Sequence, residues 1–162
     1  MRKSLTLIET LISMVILTLI VGALSVVLTT GNLSYYSEMD LIDLQQQIRL
    51  AVHGMTREIR QSPSSDITVA SNGEQINFSI INVSNPINYY LQNDSLIREH
   101  PAGTQRVMVE DVNSLSFCCI GGLNCTDCNT AHSVSIAIDA EKTVRQRTVS
   151  FNLSEKVKLR NE

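Results

Sequence analysis

Between Lys3 and Glu38 the sequence carries one charged residue, Glu9, and the stretch Thr10 to Thr30 (TLISMVILTLIVGALSVVLTT) is an uncharged, largely aliphatic run of about 21 residues. At about 1.5 Å per residue, a helix of that length crosses a hydrocarbon core of ~30 Å. A soluble helix that is apolar on all sides would instead need a large protein wrapped around it. The chain has 162 residues, which leaves room for one modest domain beyond the run and too little to enclose it. The sequence therefore predicts one membrane-spanning helix followed by an extramembrane domain. A secretory signal peptide has a shorter apolar region, about 7 to 15 residues, and a small-x-small cleavage site. Here the run is longer and passes into helix-compatible sequence, so it is expected to stay with the protein.

Arg2 and Lys3 precede the run, whereas Glu38, Asp40 and Asp43 follow it. The positive-inside bias then places the N-terminus in the cytoplasm and sends the chain after Asn32 across the membrane. With 13 Lys and Arg against 16 Asp and Glu, the net charge of -3 gives no overall field to hold a polyanion, which argues against general nucleic-acid binding. Glu9 stands among Leu5, Leu7, Ile8, Leu11 and Ile12. A carboxylate at that depth costs a few kcal/mol on insertion scales unless something neutralises it. It either sits at headgroup level beside Arg2 and Lys3 or meets a partner inside the membrane.

The order Met1-Arg-Lys-Ser4 followed by Leu5-Thr-Leu-Ile-Glu9-Thr-Leu-Ile12 resembles the class III signal of type IV pilins and type II secretion pseudopilins. That signal has a short basic leader, a small residue before the cut, and an apolar stretch with Glu at the fifth mature position. The resemblance implies cleavage between Ser4 and Leu5 by a membrane-embedded prepilin peptidase, which also methylates the new amine. It also implies that the amine of Leu5 pairs with Glu9 of a neighbouring subunit when helices stack. The family usually has Gly before the cut and Phe after it, where this chain has Ser4 and Leu5.

Beyond the apolar run, Leu41, Leu44, Ile48, Ala51/Val52, Met55 and Ile59 recur every three or four residues, with Gln45, Gln46, Gln47, Arg49, Arg57, Glu58 and Arg60 between them. This is the pattern of an amphipathic helix. One continuous helix from Leu5 to Gln61 is expected, with Gly22, Gly31 and Gly54 as candidate bends and Ser62-Pro63 as its end. After Pro63 the chain turns to short alternating segments, which predict antiparallel strands. They are placed at Ile67 to Val69, Gln75 to Ile81, Ile87 to Gln92, Ser95 to Glu99, Arg106 to Val109, Ser114 to Ile120, Ser133 to Asp139 and Val144 to Lys158. The clearest hairpin joins Tyr89-Tyr90-Leu91 to Leu96-Ile97-Arg98 around Asn93-Asp94, a pair that tolerates left-handed backbone. In the last segment Val149, Phe151 and Leu153 alternate with polar residues, giving one face for the helix stripe to cover.

The expected class is thus α+β: a long N-terminal helix, half transmembrane and half amphipathic, packed on a C-terminal antiparallel sheet. This is similar to the pilin architecture. MTREIRQ, YYLQNDSLIRE, VEDVNSLSF and the terminal VKLRN also look like stretches of W-type minor pilins and J-type pseudopilins. The corresponding organisation is a leader at 1–4, a membrane and filament-core helix at 5–30, an amphipathic continuation at 31–62, and a sheet domain at 63–162 with a Cys-rich loop at 118–128.

All four cysteines, Cys118, Cys119, Cys125 and Cys128, fall in SFCCIGGLNCTDCN. Outside the cytoplasm two disulfides are expected, with three possible connectivities. Adjacent Cys118 and Cys119 point to opposite faces of a strand, so each should bridge to Cys125 or Cys128. A four-thiolate zinc site would use the Cys125-x-x-Cys128 spacing but lacks separation between the other two ligands. A loop stapled in this way would project as a contact surface or simply stabilise a small domain. Lys156, Lys158 and Arg160 alternate at the C-terminus, with Arg145 and Arg147 upstream, and read best as a solvated edge strand protected by Lys. DNA, lipid headgroups or acidic neighbours are the alternatives for such a face. His53, His100 and His132 are scattered, and neither a catalytic triad nor a phosphate-binding loop can be assembled.

The resemblance implies a structural subunit without enzymatic activity, cofactor or metal. It would be a minor pilin or pseudopilin in the bacterial inner membrane and then in an extracytoplasmic type IV pilus or type II secretion pseudopilus. Its partners would be prepilin peptidase, other pilins or pseudopilins, the inner-membrane assembly platform and the lipid bilayer. A pilus-associated subunit that binds DNA or a surface, and an uncleaved single-pass membrane protein, are the competing readings.

Overall fold

A computed structural model of the chain describes residues 7–81, 83–144 and 147–159. The proposed leader and Leu5 lie outside these residues, as do Arg145 and Arg160. The chain divides into two units, residues 1–39 and 40–162. A single helix, α1 (Leu7–Ile59), provides the described part of the first unit and opens the second. Its helical hydrogen bonding continues through Gly22, Gly31 and Gly54. The helix stops three residues before Ser62, where Gln61 and Ser62 donate to the carbonyls of Glu58 and Ile59 in a tightened last turn (3.0 and 3.1 Å). Pro63 then disfavours helical backbone at the residue before it.

The second unit follows with β1 (Ile67–Val69), β2 (Gln75–Phe78), β3 (Ile87–Gln92), β4 (Ser95–Glu99), β5 (Gln105–Val109), β6 (Val112–Ile120), β7 (Ser133–Val144) and β8 (Arg147–Lys158). All are antiparallel, and they form two sheets where one was expected: β1-β2-β3-β4-β5 and β6-β7-β8. The break falls between β5 and β6 at Asp111, whose φ of 60° turns the chain sharply. Alternation of side chains predicts strands but carries no record of which neighbour each one bonds to.

Five strand boundaries differ from the pattern reading, the smallest being β5, which starts at Gln105 rather than Arg106. Strand β2 ends at Phe78, because Val83 closes a turn onto the carbonyl of Ile80 (3.0 Å). Strand β6 begins at Val112, where a bulge before Ser114 interrupts the expected alternation. Strand β7 runs on to Val144, and β8 starts at Arg147 rather than at Val144. Pairing with β6 ends at Ala140, so the rest of the β7–β8 ribbon extends past β6. Exposed Glu141 and Thr143 need no apolar alternation there.

The class is α+β, with an apolar N-terminal helix whose second half packs on antiparallel sheets. Leu44, Ile48, Ala51, Val52, Met55 and Ile59 are buried in one core cluster with Ile76, Phe78, Tyr89 and Leu96 of the first sheet and Phe117, Val134, Ile136 and Val157 of the second. Each such aliphatic side chain contributes roughly 1.5 to 3 kcal/mol by leaving water. Leu41, the first member of the predicted stripe, is only half-buried.

Candidate functional site

Two groups of residues singled out by sequence can be built from the structure, and two further features come from the packing alone. The first is the apolar helix. From Leu7 to Leu28 its large hydrophobic side chains are exposed in this chain, and the stretch is long and apolar enough to cross a membrane. Thr10, Ser13, Thr18, Ser25, Thr29 and Thr30 all turn their hydroxyls back onto helix carbonyls three or four residues earlier, at 2.7 to 3.0 Å. These bonds leave no hydroxyl in the span seeking water, which suits hydrocarbon surroundings. Glu9 is exposed in the first turn, and among the described residues nothing meets its carboxylate. Helix N-termini favour negative charge, but the side chain itself remains without a counter-ion there. Ser4 and Leu5, the expected processing residues, lie outside the described residues.

The second group is the cysteine loop between β6 and β7. Disulfides join Cys118 to Cys125 and Cys119 to Cys128. This is one of the two cross-pairings left open by the sequence. Cys119 is buried beneath the loop, and its N–H donates to the carbonyl of Cys125 (2.8 Å). Gly121 has φ of 102°, and a Cβ there would run into the His132 ring. At Gly122 a Cβ would collide with the carbonyl of Asp127. Both glycines are therefore structural necessities of a tight loop. Buried Cys128 and Ala131 anchor its far side, while Leu123 is 90% exposed.

One feature absent from the sequence reading ties the helix to the first sheet. Arg98 on β4 donates from Nε and Nη2 to the two oxygens of Glu58 on α1 (3.2 and 3.0 Å), and the Tyr89 hydroxyl on β3 donates to Oε2 of the same carboxylate (2.7 Å). The Arg98 and Glu58 side chains are 21% and 18% exposed, so the forked pair is partly withdrawn from water. Burial, with the neighbouring Glu58 carboxylate, pushes the Tyr89 hydroxyl well above the usual tyrosine range. Burial works against the Arg98 charge, but Glu58 more than offsets it and its pKa is raised. Part of this arrangement was available from the hairpin: Asn93 and Asp94 take φ of 49° and 55°, and the resulting register sets Tyr89 opposite Arg98. Nothing in the helix pattern marked Glu58 as the residue facing them.

The last feature is a groove of about 450 Å³ lined by His53, Thr56 and Arg57 of α1, by Arg60 and Gln61 in the turn that follows it, and by Glu155 of β8. Arg49, one turn earlier, lies 6.0 Å from the ring centre of Phe151 on β8. Lys156 and Lys158 are exposed on the opposite face of the same strand. His100 and His132 do not join His53: Nδ1 of His100 is 3.4 Å from the Pro86 carbonyl, and His132 closes the base of the cysteine loop. Neither a protein-family model nor a curated protein matches this chain.

Proposed function

We propose that the chain is a structural subunit of a pilin-like filament, a minor pilin or pseudopilin that is inserted in the inner membrane and processed between Ser4 and Leu5. The observation that carries this reading is the apolar helical span in which every hydroxyl is internally bonded and a single carboxylate, Glu9, remains unpaired among the described residues. A lone acid in such a span is stable only with a counter-charge. An α-amine released at Leu5 of an adjacent subunit supplies one, and before cleavage that amine does not exist. Helices would thus join only after processing. In this reading the second unit stands on the extracytoplasmic side, where its two disulfides persist, and its surfaces meet other subunits. ATP hydrolysis for assembly would belong to a separate cytoplasmic motor.

The test is mass spectrometry of the N-terminus after co-expression with a prepilin peptidase. A methylated Leu5 is the expected result, and a filament-incorporated chain that still begins at Met1 or Arg2 overturns the reading. Glu9→Gln should enter the membrane normally yet fail to incorporate. Normal incorporation of that variant removes the charge-pairing step.

A further inference from the structure

Strand β8 is the outer strand of the β6-β7-β8 sheet, so one of its edges carries no neighbouring strand. It pairs with β7 without a bulge from Lys158 to Arg147, and the N–H of Leu159 continues the ladder by donating to the His132 carbonyl (2.9 Å). Antiparallel alternation then directs the backbone groups of Asn152, Ser154, Lys156 and Lys158 away from β7, toward the open edge. Such an edge is a template for another extended segment.

The charges beside the edge specify what that segment is. On one face, half-buried Phe151, Leu153 and Glu155 border the row of Arg49, His53, Arg57 and Arg60. On the other, Lys156 and Lys158 stand opposite Ser135 and Ser133, and the acids of that face, Asp139 opposite Asn152 and Glu141 opposite Ser150, lie further along the strand pair. The ion pairs among the described residues are Arg98 with Glu58 and Lys142 with Asp40 and Asp111, so Arg57, Arg60, Lys156 and Lys158 take part in none. At its Lys156–Lys158 end both sides of the edge are therefore basic, and Glu155 is the single acid lining the groove. A second copy of β8 would bring its own lysines to this place, which like-charge repulsion disfavours. Duplex DNA would match the charge but offers no backbone ladder.

We infer that the free edge of β8, with the groove under Arg57 and Arg60, receives an acidic β-strand from a different protein. Main-chain bonds to β8 hold the strand, and its glutamates or aspartates face the helix arginines on one side and Lys156 and Lys158 on the other. The assignment does not depend on polymerisation of the chain.

The experiment uses the full chain in lipid nanodiscs and a fluorescent peptide of about ten residues, the length of an ordinary strand, in which Glu-Glu pairs alternate with Val-Val pairs so that both faces of the added strand carry acids. Anisotropy should show binding that weakens with salt. Two control peptides carry the argument: one with Lys in place of each Glu, and one with the same charges but alternate backbone nitrogens methylated. Each should bind at least about tenfold more weakly, because one loses the charge match and the other loses the ladder. Arg57→Glu with Arg60→Glu should cost about tenfold as well, with circular dichroism checking that the fold is intact. Equal binding of the methylated peptide, equal binding of the Lys peptide, or indifference to the arginine changes in a folded variant overturns the inference. So does sedimentation showing that the chain pairs with itself and thereby expels the peptide. The peptide controls decide the matter even if the arginine variant does not fold.

Discussion

The Glu58 carboxylate shows how much can depend on one side chain. It accepts from Arg98 and Tyr89 at once, so Glu58→Ala strands a partly buried guanidinium and a buried phenol together. The expected loss is about 3 kcal/mol in chemical denaturation, whereas Tyr89→Phe, which removes only the hydroxyl, should cost about 1 kcal/mol. Alkaline pH provides a second readout. Because the folded Tyr89 holds its proton more tightly than an unfolded tyrosine, its contribution is complete below the unfolded value of about 10 and is lost as pH rises past it. Stability should therefore fall above about pH 10, and Tyr89→Phe should flatten that fall. In an absorbance titration Tyr89 should ionise only above the usual tyrosine range. At this scale the sequence exposed the Tyr89–Arg98 half of the arrangement through the Asn93-Asp94 turn. It hid Glu58, because a charged residue between apolar helix positions looks the same whether it meets solvent or an arginine.

Among the elements, α1 shows the clearest correspondence between pattern and packing. Leu44, Ile48, Val52, Met55 and Ile59 were legible as a buried stripe because a helix repeats every 3.6 residues, and each lies in the core. Met55→Ala should cost about 3 kcal/mol by leaving a cavity. Leu50→Ala, at a position 71% exposed, should change stability by less than about 0.5 kcal/mol. Comparing the two melts tests whether this half of the helix buries the face assigned to it. The strands were legible for the same reason, and β1, β3 and β4 begin and end where alternation placed them. Their division into two sheets was not, since the separation between β5 and β6 depends on the backbone at Asp111 and on pairing between distant segments. The cysteine loop lies between these cases. Topology and strand alternation narrowed the pairing to two arrangements, and folding of the loop selected Cys118–Cys125 with Cys119–Cys128. Replacing the first pair, seven residues apart, with serines should cost about 2.5 kcal/mol by loop-closure entropy. That loss is measured as a lower urea midpoint with the second bridge retained.

For the whole molecule, the division into residues 1–39 and 40–162 predicts two separate responses to heat. In nanodiscs the second unit should lose its strand signal in one cooperative transition, because both sheets and the later part of α1 share one core. Helical signal from the first unit should persist above that transition, since unfolding inside hydrocarbon would expose backbone groups with nothing to bond. Circular dichroism with temperature separates the two, and a single transition that removes both signals contradicts the division. Reducing agent should lower the first transition and leave the residual helix unaffected.

The inward-turned hydroxyls of Thr10, Ser13, Thr18, Ser25, Thr29 and Thr30 have a mechanical corollary. A rod whose flanks are uniformly greasy has no preferred azimuth, and it can spin or slip lengthwise against similar rods at little energetic penalty. In the filament proposed above, the acid near the start of that shaft would be its one charged notch, so Glu9 would set how far neighbouring rods slide before they lock.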